Sequence, residues 1–234
     1  MTENLPVSWE DQMKADAKSQ LINERPPLSL MSLKSGQMSI GGEAVPGNEL
    51  LAIIVANATE NAWFPNRYDP NKRENPACYA IGEGKAVDLV PYEESTDKQA
   101  ERCAICPKFE WGSDPNGGRG KACKEKRRLA MLRPDGGDEL LLVSIPPTSL
   151  KNWSNHVGKV VATTGMSTAG VVTKIKVVPS AKNQFEVQFE IAGPVPQEFL
   201  PAMVAKKADA MNIMLQPYPE LEDDFETPKK DRKY

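Results

Sequence analysis

The chain has 234 residues, 40% hydrophobic and 26% charged, enough for one large domain or for a domain carrying an insertion and tails. No run approaches the roughly 20 apolar residues that cross a bilayer. The N-terminus MTENLPVSWEDQMKADAKSQ lacks the basic start and apolar stretch of a secretory signal, so neither a membrane span nor export is expected. With 29 basic against 32 acidic side chains, one His and a net charge of −3, the totals argue against a uniformly basic nucleic-acid binder, and the distribution of charge has to decide.

Residues 1–27 read as an N-terminal arm ending at Pro26-Pro27, where Trp9, Met13 and Ala17 at helical spacing predict a short helix from Ser8 to Ile22. From Leu28 to Ile40 a weak alternation suggests one or two short strands, broken by Gly41-Gly42 and Pro46-Gly47. The apolar run from Glu49 to Ala58 predicts a buried strand. Trp63, Phe64 and Tyr68 follow it closely, in a chain that is only 6% aromatic.

Residues 76–132 differ in character: they hold all four cysteines, are rich in glycine and read as an insertion. Its end, from Ala122 to Leu132, is predicted as a helix stopped by Pro134. Glu139 to Ile145 reads as a second buried strand, and Pro146-Pro147-Thr148 as the start of a helix with Leu150, Trp153 and Val157 on one face. Val171–Val178 and Phe185–Ile191 both alternate with period two and predict a hairpin. A last helix is expected from Glu198 to Leu215, then a disordered charged tail over 216–234. Five or six strands with few helices predict a mainly β (α+β) chain. The expected core is an OB-fold-like five-stranded barrel over 28–215, carrying the insertion.

Cys78, Cys103, Cys106 and Cys123 have the spacing C-x24-C-x2-C-x16-C. A CxxC turn sets two thiolates about one metal with little strain, and four thiolates complete the tetrahedral shell of a structural Zn2+. One zinc per chain is therefore expected. Four reduced, buried thiols and an iron–sulfur cluster are the alternatives. A closed shell leaves no open position for catalysis, the single His156 sits beside Trp153 in a helix, and no hydrolase or phosphate-loop motif is present. An enzyme is not expected.

Charge is segregated. Arg119 to Arg133 carries seven basic residues and one acidic one, and Lys151 to Lys182 carries five lysines and no acid. Glu220 to Glu226 has five acids in seven residues, and Glu83 to Glu101 six against two bases. Basic stripes beside a mobile acidic tail suit a nucleic-acid binder that moderates its own binding. The expected contacts are Arg119, Lys121, Lys124, Arg127, Arg128, Lys174 and Lys176 to phosphates, with Trp63, Tyr68 and Trp111 stacking on bases. The expected groove is lined by Lys174, Lys176, Trp63 and Tyr68.

The stretch CAICPKFEWGSDPNGGRGKACKEKRRLAML from Cys103, with Cys78 upstream, a buried strand after it and an acidic tail, resembles zinc-containing bacteriophage single-stranded-DNA-binding proteins of the oligonucleotide-binding-barrel type. The specific part of the resemblance spans residues 78–132. It implies a protein that coats single strands in phage DNA replication or recombination, in the host cytoplasm. The tail, through Glu222, Asp223, Asp224 and Phe225, would contact a polymerase, helicase or primase. Two other readings compete: a zinc-stabilised protein-interaction or virion-assembly factor, and a duplex reader using the Lys121–Arg128 segment. The second lacks a docking motif and a dimerisation element.

Overall fold

The computed structural model describes Trp9, Gln12, Met13 and residues 29–67, 74–134 and 139–219. Trp9, Gln12 and Met13 are helical, as the arm's spacing predicts. The other residues of the expected Ser8–Ile22 helix, Tyr68 and residues 220–234 lie outside the described residues. Residues 216–219, expected as the start of a disordered tail, are instead held in place, with Tyr218 bonded to Glu60 and Pro219 to Asn75. Two compact units divide the chain: Met1–Asn57 with Arg128–Ala210, and Ala58–Arg127 with Met211–Tyr234.

Among the described residues the chain is mixed α+β, mostly strand, with two α-helices, α1 (Leu150–Thr164) and α2 (Leu200–Met214). The strands are β1 (Ser29–Ser32), β2 (Ser39–Ile40), β3 (Glu43–Ala44), β4 (Glu49–Trp63), β5 (Cys78–Gly82), β6 (Lys124–Leu132), β7 (Leu141–Ile145), β8 (Val171–Ser180) and β9 (Gln184–Pro194). Their order is β3-β2-β1-β7-β6-β4-β8-β9, with β5 added on β4. The nine strands exceed the five or six expected because residues 29–44 form three short strands, and Cys78–Gly82 and Lys124–Leu132 form one more each.

That last strand corrects the sequence reading: Lys124–Leu132 is β6, not a helix. Its residues are good helix formers, but Leu129, Ala130, Met131 and Leu132 are all buried, so both faces of the strand end are covered. Burial on both faces erases the alternation that betrays a strand, and tertiary pairing overrides the weak local preference.

In the first unit the apolar faces of the strands share one core with α1. Met31, Ile54, Leu129, Met131, Leu141, Val143, Ile175 and Val187 pack there around Trp153. The β2–β3 link is the tight turn Gly41-Gly42, with φ of 59° and 88°, values open to glycine and costly for branched residues. The β8–β9 hairpin matches its prediction: Val171, Thr173, Ile175 and Val177 point inward, while Lys174 and Lys176 point away from the core. Helix α1 buries Trp153, His156 and Val160, one face at helical spacing. Ser149 at its start accepts the Val187 N–H at 2.8 Å, and the helix closes on Gly165 in the left-handed region.

The second unit has little regular structure. The end of β4 pairs antiparallel with β5, from Trp63 opposite Cys78 to Thr59 opposite Gly82. Three 3-10 turns follow: Ala86–Asp88, Cys103–Ile105 and Pro107–Phe109. Small apolar groups stand in for a core: Ala86, Cys106, Phe109 and Cys123 in one, Ala80, Leu89 and Cys103 in the other. Tyr79, Ile81 and Met214 are buried in this unit as well, and the Tyr79 ring stacks on Tyr92. Among the described residues no helix is long and apolar enough to cross a membrane.

Candidate functional site

The four cysteines arrive from three directions. Cys78 opens β5; Cys103 and Cys106 bracket a 3-10 turn closed by the Cys106 N–H on the Cys103 carbonyl; Cys123 immediately precedes β6. The Cys103 N–H is fixed to Leu89 O at 3.0 Å, and the Cys123 N–H to Lys108 O at 2.8 Å. All four thiols are free, buried and line one cavity of about 10 Å3, with Asn61, Trp63, Phe109 and Gln99 among its other walls. That is about the space of one water-sized sphere.

Burial raises the pKa of Cys78 and Cys103, and pushes that of Cys123 up to about 12, with the other three thiols adding to the shift. A strand, not the helix expected from Ala122, starts beside Cys123, so no helix dipole favours its thiolate. Crowded thiols resist ionising next to one another, and a divalent cation reverses that balance by binding thiolates. The donor types fit zinc: four soft ligands line one cavity. Among the described residues, no three such side chains stand close enough together to hold a metal ion.

Beside this centre, in the same unit, lies a cleft of about 610 Å3. Trp63 and Phe64, at the end of β4, form its aromatic wall. Arg67, Lys124 and Lys126 bring positive charge, Asn66 and Asn116 bring amides, and Glu74 and Asp114 bring carboxylates. Strand geometry explains the pair of lysines: residues two apart share a face, so Lys124 and Lys126 line the cleft together. Lys126 Nζ stands 5.4 Å from the Phe64 ring centre. Lys124 Nζ is tied to Asp114 Oδ2 and to the Lys121 carbonyl, each at 2.6 Å. The Lys124 ammonium and the Asn116 N–H hold the Asp114 carboxyl down at about 2. Of the two cleft lysines, Lys126 is the one without so tight an ion pair.

The predicted contacts divide accordingly. The cleft brings Trp63 and Lys124 together. Arg127 is not part of it: its Nη1 donates to Thr59 Oγ1, whose hydroxyl donates to Gly84 O at 2.7 Å, and burial lowers the guanidinium's pKa. The helix expected over 122–132 would set Arg127 on a face next to that of Lys124 and Arg128; on the strand it points opposite to Lys124. Lys121 lies over the Phe109 ring at 3.5 Å and within 5.0 Å of the Trp111 ring centre, and Trp111 is 79% exposed. Arg119 is exposed in the glycine-rich loop. Lys174 and Lys176 belong to the first unit, and Lys176 stands 3.8 Å from Glu49. Tyr68, Glu222, Asp223, Asp224 and Phe225 lie outside the described residues.

His156, set aside as a base by the sequence reading, is 3% exposed and meets Thr173 Oγ1 at 3.0 Å, with its ring stacked on Phe189. Phe64, Arg67, Lys126 and Asn116 were missed as site residues. A strand reading of 124–132 would have put Lys126 beside Lys124, and the Asp114-Pro115-Asn116-Gly117 turn marks the opposite wall. No protein-family model, curated protein or solved structure matches the chain.

Proposed function

We propose that this chain is a non-catalytic single-stranded-DNA-binding protein of phage replication or recombination, of the oligonucleotide-binding-barrel type. The observation that carries the reading is the cleft that sets the rings of Trp63 and Phe64 beside the cations of Lys126 and Arg67. Rings accept an unstacked base whatever its identity, and the cations meet the phosphates that flank it. Bases stacked inside a duplex cannot reach such rings, which favours single strands. One zinc on Cys78, Cys103, Cys106 and Cys123 would tie β5, the Cys103–Ile105 turn and the start of β6 together and so stiffen the unit that carries the cleft. The acidic tail would contact a replication protein (polymerase, helicase or primase), in the host cytoplasm.

Single-stranded DNA, single-stranded RNA and duplex DNA titrated side by side test this reading. Tight binding to the first, with quenching of tryptophan fluorescence and a steep loss with salt, is the expected result. A second reading, a zinc-stabilised protein-interaction or virion-assembly factor, draws on the exposure of Ile105 (69%) and Trp111 on the cysteine-bearing unit. Absence of binding to all three nucleic acids at low salt would select it.

A further inference from the structure

Glu60, on β4, is a carboxylate with no exposed surface. Its Oε1 accepts a hydrogen bond from the Tyr218 hydroxyl and stands 3.9 Å from Lys126 Nζ. Tyr218 belongs to the segment after α2, which is fastened at several points. Its ring meets Tyr79 edge-on at 5.0 Å, and Tyr79 stacks on Tyr92 at 5.2 Å. The Tyr92 hydroxyl donates to Leu215 O, and Asn75 Nδ2 donates to Pro219 O at 2.6 Å.

We infer that Tyr218 and Glu60 are positioning residues for Lys126, so that the latched segment 215–219 sets how strongly the cleft holds a phosphate. The inference rests on the strand-binding reading of the cleft. A buried carboxylate needs partners, and a hydrogen-bond donor and a cation drawn to the same oxygen share its charge. Whichever is drawn away leaves more of that charge to the other. With Tyr218 on Oε1, Glu60 holds Lys126 loosely at 3.9 Å, and the ammonium stays available to the cleft. A phosphate that takes Lys126 in turn strengthens the Tyr218 latch, because coupling between two binding events is reciprocal.

Three variants and two readouts test this. Tyr218→Phe keeps the ring packing and removes the hydroxyl. It should weaken binding of a single-stranded DNA oligonucleotide about fivefold at low salt and flatten the salt slope by up to about 0.7, the share of one phosphate contact. In a Glu60→Gln background, where no charge draws Lys126 inward, the same change should have no effect. A merely structural role would lower the thermal midpoint and leave the slope alone. An unchanged curve for Tyr218→Phe, or an equal loss in both backgrounds, would overturn the inference. The second readout needs no nucleic acid. Amide exchange at Leu215, Gln216 and Tyr218 should slow in Lys126→Gln, because the Lys126 charge then no longer competes with Tyr218 for Oε1; unchanged or faster exchange contradicts the coupling. A wild-type chain that binds no oligonucleotide would sink the strand-binding reading, while the exchange result still decides on the latch.

Discussion

Lys126 and Arg127 are neighbours on β6 that serve opposite faces: Lys126 lines the cleft, and Arg127 donates to the Thr59 hydroxyl. Two adjacent cations of like charge therefore have different consequences when removed. Lys126→Gln should weaken single-strand binding and flatten its salt dependence. Arg127→Met should cost about 1–3 kcal/mol of stability, the range for orphaning a buried polar partner, and leave the salt slope unchanged. Denaturant unfolding and a salt series on both variants separate the two roles.

Trp63 lines the cleft, whereas Trp111 is exposed outside it beside Lys121. Trp63→Ala should cost about 1–3 kcal/mol of oligonucleotide binding, the share of one stacked base. Trp111→Ala should cost clearly less for an oligonucleotide short enough to fill only the cleft. Equal losses would mean that the strand runs over both rings.

The cysteine centre predicts one equivalent of zinc in freshly purified, reduced protein. Cys106→Ser should lose the metal and speed amide exchange over residues 76–127, while the β8–β9 hairpin of the other unit keeps its protection. Well under one equivalent in the wild type would remove zinc from the account. Four thiols crowded around one cavity would then be neutral, in keeping with the raised pKa values of Cys78, Cys103 and Cys123.

His156 ties stability to pH. Burial lowers its pKa below the ordinary 6.5, so the unfolded chain takes up a proton before the folded one does. Stability is then full above the unfolded value and falls as pH drops through it, by at most about 1.4 kcal/mol per pH unit for one group. The unfolding free energy of wild type should start to fall as pH drops through the unfolded value of about 6.5, and His156→Gln should remove part of that slope. An identical slope in the variant would show that other groups carry it.

How far the sequence foretold these sites varied with how local the deciding contacts are. The β8–β9 hairpin was legible because Val171, Thr173, Ile175 and Val177 alternate with solvent-facing residues, a pattern visible without knowing the partner. The β6 segment was not. Its Lys, Arg, Leu, Ala and Met residues favour a helix, and what makes it a strand is pairing with β4 and β7, remote in sequence. That one difference carries over to the site. On a helix Arg127 stands on a face next to that of Lys124, whereas on a strand Lys124 and Lys126 share a face and Arg127 turns away. The cysteines were legible as a set because their spacing needs only proximity, and the fold brings all four to one cavity. The Glu60–Tyr218 contact joins residues 158 positions apart, and no local pattern announces it.

The most direct test of the account is a fluorescence titration of the wild-type chain with a single-stranded DNA oligonucleotide across a salt series, with duplex of the same sequence alongside. The account predicts quenching that Trp63→Ala largely abolishes, preference for the single strand, and a linear fall of log K with log salt that Lys126→Gln makes shallower. Quenching that survives Trp63→Ala, or equal affinity for duplex, would contradict it.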